Sequence, residues 1–459
     1  MAGGPGRPGD PAAPDGRMPG DPAGLDAARA RLVDELRASG RLTSKAVEDA
    51  FRAVPRHVFL PDVPAGRAYQ DEALVIKTGE DGLPLSSSSQ PAIMAIMLEQ
   101  LQIAPGQRVL EVGTGTGYNA ALMRHLVGPG GSVVSVDIDP DLVASARENL
   151  VAAGYPDVIV VCGDGGFGVP EHAPYDRIIV TAGASDLAPE WLAQLRPDGC
   201  LALPLSLRGI QLCVALERSG NHWRSRAACR CGFIRMVGSM AADESHVALG
   251  PQPGLHVLVD DGTPVTDPDA LWAALSGPFA DVPAGVDVAG LAELGEADLW
   301  VTMTEPGLSR LTIVASGPLR GEALPLLPFG ALAEPASDSG AGGPGVAAGP
   351  GAGAGPGGGA GQASASLAVA GLVPAAPPPR GRRDFEVAVR GFGPRGAILA
   401  ERLAGRVAAW NASGRPRSSD LIVTAYPRGA PGEPMPAGPG EVILDRPDTR
   451  LVLGWPALP

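Results

Sequence analysis

Three glycines at alternate positions, Gly113, Gly115 and Gly117, stand between an apolar run ending at Val112 and a helical pattern beginning at Asn119. Residues that lack a Cβ and tolerate positive φ let a polar ligand lie against backbone N–H groups at a helix start. Asp137 closes a second β-rich run, residues 132–136, about twenty residues further on, where a carboxylate can accept both hydroxyls of a ribose. Asp164 and Gly165 follow a third run, residues 158–161. By itself an aspartate there is a turn or N-cap residue, but within this series Asp164 suits an adenine amino group. The chemistry offered by the spacing is nucleoside binding. The dinucleotide pattern G-x-G-x-x-G fails at Tyr118, where side-chain volume matters. A tight turn that holds no ligand is the plain alternative.

These residues need a parallel sheet to bring them together. Residues 108–112, 132–136, 158–161 and 175–181 each read as a buried strand followed by polar or glycine residues. In open α/β sheets ligands lie at that carboxyl edge. Helices are expected over 119–126, over 25–39 with Gly40 as a stop, over about 44–53 with Ser44 as N-cap, and over 91–101 with Pro91 in the first turn. Ile93, Met97 and Leu101 recur at i, i+4, i+8 and read as core. Residues 201–204 and 210–216 read as strands that complete the sheet.

The series Glu111 to Tyr118, then Asp137, then Gly163-Asp164-Gly165, resembles S-adenosylmethionine-dependent methyltransferases. Four further stretches, "VPRHVFLP" (54–61), "AYQDEAL" (68–74), "SSSQPAIMAIMLEQL" (87–101) and "APYDRIIVTAGA" (173–184), resemble protein-L-isoaspartate O-methyltransferase, in a long actinobacterial form with an appended C-terminal domain. The resemblance covers about residues 27–240. It implies a Rossmann-like class I methyltransferase sheet and S-adenosylmethionine as cofactor. It also implies methyl transfer to the carboxylate of an aspartyl or isoaspartyl residue in a peptide or protein, the ester then collapsing to a succinimide. Glu111 would lie near the cofactor's amino group, Gly113, Gly115 and Gly117 would admit its methionine portion, Asp137 would take the ribose, and Asp164 with Gly165 the adenine. Ser89 falls at the family's active-site serine and is the expected catalytic residue, with Ser87, Ser88 and Gln90 beside the acceptor. The loop "TGEDGLPLSSSSQP" departs from the family, which has a shorter turn with threonine and isoleucine where Ser87 and Ser88 stand. That change and the appended region also admit an enzyme dedicated to a ribosomally made peptide, or a binding protein without catalysis.

Composition bounds the rest. The 459 residues suggest about three domains. A net charge of −14 disfavours a nucleic-acid partner. No apolar run is long enough to span a bilayer. Five scattered cysteines fit a reduced, cytoplasmic setting, and none has zinc-ligand spacing. We expect a disordered tail over 1–24, the methyltransferase domain over 25–245, and one α+β domain in two halves, 246–333 and 381–459. A disordered Gly/Ala/Pro linker over 334–380 would separate the halves. Within these halves, residues 256–259, 299–303, 311–315, 382–392, 420–427 and 449–455 read as strands, and residues near 269–275 and 394–410 as helices. His256 reads as a structural histidine and the turn at 260–262 as a loop, not a calcium site.

Overall fold

The computed structural model describes residues 22–79, 84–242, 245–250, 255–259, 267–305, 308–313, 330–334, 366–374, 385–429 and 441–455. Within them the N-terminal half runs α1 (Pro22–Ala38), α2 (Lys45–Ala53), β1 (Leu74–Thr78), β2 (Pro84–Ser88), α3 (Pro91–Leu101), β3 (Arg108–Val112), α4 (Tyr118–Val127), β4 (Ser132–Asp137), α5 (Pro140–Ala152), β5 (Ile159–Cys162), β6 (Tyr175–Val180), α6 (Pro189–Gln194), β7 (Leu195–Leu207), β8 (Ile210–Ser219) and β9 (His222–Cys231). Beyond it lie β10 (Ser245–Ala248), β11 (Leu255–Val259), α7 (Pro268–Leu275), β12 (Phe279–Val288), α8 (Leu291–Thr304), β13 (Leu308–Ile313), β14 (Gly330–Glu334), β15 (Ser366–Pro374), β16 (Phe385–Phe392), α9 (Gly396–Ala412), β17 (Ile422–Pro427), β18 (Glu441–Asp445) and β19 (Thr449–Gly454).

Local chemistry explains the helix starts that matter to the site. Ser44 caps α2 by accepting from Val47 N, and Asp139 caps α5 by accepting from Asp141 and Leu142 N. Proline occupies the first turn of both α3 and α5, where no N–H is required. Alternation along the strands then assigns faces. Val109 and Val133 pack on the side of α3 and α4, with Leu98, Leu101 and Leu122. Leu110 and Val134 pack on the other side, with Ile178, Leu203 and Trp191.

The main sheet has ten strands in the order β18-β19-β17-β9-β8-β7-β6-β3-β4-β5. From β5 to β7 the pairings are parallel, and beyond β7 they are antiparallel. Chain direction reverses its path at β3, which lies between β4 and β6, and this is the position at which ligands enter such sheets. A short antiparallel pair, β1–β2, stands apart from this sheet. A second, antiparallel sheet has the order β10-β11-β13-β14-β15-β16-β12 and carries α9 against β12, β15 and β16.

Three sequence expectations need correction. Residues 381–459 do not form half of a separate domain: β16 and α9 belong to the second sheet, but β17, β18 and β19 extend the first. Pairing of β17 with β9 at Thr424–Arg224 and Ala425–Trp223 covers an edge that would otherwise present unpaired backbone groups. The stretch 334–380 is not structureless throughout. Ser366–Pro374 is β15, paired on both sides and with Ala368 fully buried, so small side chains suffice where neighbours supply the apolar surface. Residues 299–303 are helical, the last turns of α8, because a short apolar run fits either period and the preceding "LAELGEAD" favours helix. The rest of the expected linker, almost all of the N-terminal tail, the side chain of His256 and the 260–262 turn lie outside the described residues. Among the described residues, no helix is long and apolar enough to cross a membrane.

Candidate functional site

At the carboxyl ends of β3, β4 and β6 the chain encloses a cavity of about 230 Å³. The glycine turn forms its floor. Gly113 N donates to Val136 O at 2.8 Å, so the turn is an extension of the β3–β4 pairing. A Cβ on Gly113, whose φ is +99°, would come 2.5 Å from Thr181 Oγ1, the hydroxyl that bonds Gly113 O. Gly115 is different: the nearest atom to its missing Cβ is Ser87 O at 3.8 Å, and the space above it is open. Its N–H donates to Asp137 Oδ2 at 2.9 Å, while Asp137 Oδ1 accepts from Asp139 N at 3.1 Å. The strand-end carboxylate is therefore fixed beside the glycine turn.

Beneath the turn Glu111 is fully buried. Its Oε2 accepts from Ser135 Oγ at 2.5 Å and its Oε1 from Asn119 Nδ2 at 2.8 Å. Thr114 Oγ1 lies 2.6 Å from Ser135 Oγ; since the Ser135 proton goes to Glu111, Thr114 is the donor of that pair. Burial outweighs these bonds and raises the Glu111 carboxyl to about 7. Asn119 Oδ1 is buried at the same cavity with no hydrogen-bond partner in the protein. An acceptor orphaned next to a buried carboxylate fits a ligand that brings an ammonium group, since an unpaired buried acceptor is costly.

The roof is the serine segment. Ser86, Ser87, Ser88 and Ser89 all line the cavity, and Ser88 is buried. Arg56, from the "VPRHVF" stretch, is fully buried and donates from Nη2 to Ser89 O at 3.0 Å. Its guanidinium lies 5.1 Å from the centre of the Tyr118 ring, so it ties the serine segment to the first turn of α4. Burial pulls the Arg56 guanidinium below its ordinary value. Gln90 faces away from the cavity: its Nε2 donates to Asp71 O and to Asp71 Oδ2 at 3.0 Å, and Asp71 Oδ1 accepts from Ala92 N. Asp71 thus holds the start of α3. On the opposite side Lys77 of β1 meets Asp139 at 2.5 Å and Asp141 at 3.1 Å.

Most of the residues expected from sequence come together here. Ser87, Ser88, Ser89, Glu111, Gly113, Gly115, Asp137 and Gly165 line the one cavity. Three others do not. Gly117, with φ +87°, packs against α5: a Cβ there would be 3.2 Å from Leu150 and 3.3 Å from Ala146 O. Its missing Cβ leaves room for α5, and it does not line the cavity. Asp164 is an N-cap whose Oδ1 accepts from Gly166 N and whose Oδ2 accepts from Ser239 N at 2.7 Å. Its carboxylate fastens the 238–240 turn, and Gly165 rather than Asp164 reaches the cavity. Gln90 does not line this cavity but lines an adjoining groove together with Ser87, Ser89 and Asp71, to which its Nε2 donates. Sequence reasoning missed Ile138, Asn119, Thr181 and the segment 233–237, all of which line the cavity. The last is pinned by Gly183, whose N–H donates to Ile234 O and whose carbonyl accepts from Met236 N. No local signal marks 233–237, because a distant strand end places it.

A parallel β3–β4–β6 core, a glycine turn joined to an acidic strand end and a roofed nucleoside-sized cavity define a class I S-adenosylmethionine-dependent methyltransferase. The sequence profile of Protein-L-isoaspartate(D-aspartate) O-methyltransferase (PCMT) matches residues 27–241. The chain is 41% identical over 219 residues to the protein-L-isoaspartate O-methyltransferase of Methanopyrus kandleri, spanning 47% of this chain and 94% of that protein. It is 43% identical over 210 residues to the Pyrococcus horikoshii enzyme of the same name, spanning 45% of this chain and 92% of that one. A solved protein-L-isoaspartate O-methyltransferase overlays with a TM-score of 0.45 at 23% identity, covering 86% of this chain and 96% of the other. The chain belongs to the protein-L-isoaspartate O-methyltransferase family of carboxyl O-methyltransferases.

Proposed function

We propose that this chain methylates the free carboxylate of isoaspartyl residues in proteins and peptides, with the acceptor held at Ser89. The observation that supports this most is a second groove of about 350 Å³ that shares Ser87, Ser89 and Phe233 with the cofactor cavity. Two sites that meet at a serine segment suit a reaction between a bound cofactor and an extended chain.

Bound S-adenosylmethionine supplies an electrophilic methyl on a sulfonium. The chain's own part is positioning. Gly115, with no side chain over the turn, leaves room for the amino-acid portion. Glu111 and the orphaned Asn119 Oδ1 would hold its ammonium, and Asp137 its ribose. The acceptor carboxylate is ionised at neutral pH, so no strong base is required. Ser89 would orient one of its oxygens while the roof excludes water, and alignment alone can supply much of the rate. Once the ester forms, the next backbone nitrogen displaces methanol to close a succinimide. Water then opens that ring to aspartyl or isoaspartyl.

Incubation of an isoaspartyl peptide with the enzyme and cofactor, followed chromatographically, tests the proposal. Succinimide and aspartyl peptide should accumulate at the expense of the isoaspartyl form. A peptide that remains isoaspartyl would contradict it.

A further inference from the structure

The groove that meets the cofactor cavity has a wall that the methyltransferase half does not hold alone. Ile93 and Ile96 of α3 line one part of it, and Arg230, at the end of β9, lines another. Arg230 Nη1 donates to Gly295 O, and its Nη2 donates to Asp298 Oδ2 at 3.3 Å. Both partners are on α8, beyond the methyltransferase half. Asp298 is only 6% exposed and does not line the groove, whereas the Arg230 side chain keeps 29% exposure there. A Cβ on Gly295 would sit 3.3 Å from Arg230 Nε, so the glycine lets the guanidinium lie close to the helix.

We propose that α8 positions Arg230 as a specificity residue, which recognises an acidic side chain flanking the isoaspartyl residue of the acceptor. This rests on the reading that places the acceptor in the groove. Three charged residues line that groove among the described residues: Arg41, Asp71 and Arg230. Asp71 accepts from Gln90 Nε2 and Ala92 N, which fix its carboxylate at the start of α3, and the two arginines outnumber this one carboxylate along the groove. A guanidinium has five N–H groups, and Gly295 and Asp298 engage Nη1 and Nη2 only from the α8 side. An acidic side chain lying beside β9 in the groove therefore meets the exposed part of Arg230, and Arg41 adds a second positive charge to the lining. Positioned in this way, the appended region selects among acceptors without touching the cofactor.

Two isoaspartyl peptides that differ only in glutamate or glutamine near the isoaspartyl residue provide the test, using the full chain. The native enzyme should show a KM about threefold lower for the glutamate peptide, the size of a partly exposed ion pair. Arg230→Ala and Asp298→Asn should each remove that preference through KM, with S-adenosylmethionine affinity as the control for folding. Gly295→Ala adds helix propensity, so melting should not fall, yet it crowds Arg230 and should reduce the preference. A preference absent in the native enzyme, or intact in all three variants, overturns the assignment of Arg230. Normal dependence of turnover on Ser89 in that case would leave the groove reading standing. If Ser89→Ala is without effect, it is the groove reading that fails.

Discussion

The carboxylate of Glu111 and the hydroxyl of Ser135 lie 2.5 Å apart, oxygen to oxygen, under the glycine turn. Burial raises this carboxyl from 4.5 to about 7 despite that bond. Below pH 4.5 it is protonated both folded and unfolded, and has no effect on stability. As pH rises to 7 the unfolded chain ionises first, so the fold loses up to about 3 kcal/mol, a loss that stays constant above pH 7. Glu111→Gln abolishes the titration. In thermal melts without cofactor the variant should gain on the native chain between pH 4.5 and 7, then run parallel to it. A constant offset across that range would show that Glu111 does not titrate there.

Asp137 fastens the glycine turn through Gly115 N and faces the proposed ribose position. Replacing it by alanine should weaken S-adenosylmethionine binding by roughly 1.5–3 kcal/mol, the worth of a charge-assisted hydrogen bond. Calorimetry showing native affinity would remove Asp137 from the cofactor site.

Ser89 touches the cavity, while its carbonyl is held by Arg56. Ser89→Ala keeps that carbonyl, so the roof should stay in place and cofactor affinity should not change. Turnover on an isoaspartyl peptide should fall roughly 10- to 100-fold, the effect of a lost positioning contact. Native turnover would mean that the serine run is only a roof.

Gly117 separates packing from binding. Alanine at φ +87°, against Leu150 and Ala146 O, should cost about 1–3 kcal/mol of stability in denaturant unfolding. Affinity for cofactor in the folded fraction should stay native, because Gly117 does not line the cavity. Weakened affinity at full folding would return it to the binding turn.

The order of motifs along β3, β4 and β6 was legible because each carries its own strand pattern and its own polar end, and a parallel sheet brings such ends to one edge. The α2 cap at Ser44 and the start of α3 at Pro91 were legible for the same local reason. What sequence could not supply depends on distant partners. Asp164 looks like a ligand residue until Ser239 N takes its second oxygen. The alanine-rich β15 looks unable to order until β14 and β16 flank it. Likewise β17 gives no hint that its partner is β9, about 200 residues earlier, a separation that strand pairing bridges without a local signature.

That long-range pairing governs truncation. Removing the chain after Gly250 uncovers β9 and takes two donors, Thr449 Oγ1 and Asp448 N, from the buried carboxylate of Asp186. The truncated chain should melt several degrees lower, as loss of about 1–3 kcal/mol implies, and should self-associate through the open edge. Light scattering and thermal melts check this. A monomeric fragment with native melting would show that the methyltransferase half needs no cover on β9.

The central claim, methyl transfer to an isoaspartyl carboxylate, is tested most directly with methyl-labelled S-adenosylmethionine and two peptides of one sequence, one isoaspartyl and one aspartyl. Label should enter the isoaspartyl peptide as a base-labile ester and be nearly absent from its aspartyl twin. Equal labelling of both peptides, or label in neither, would contradict the account.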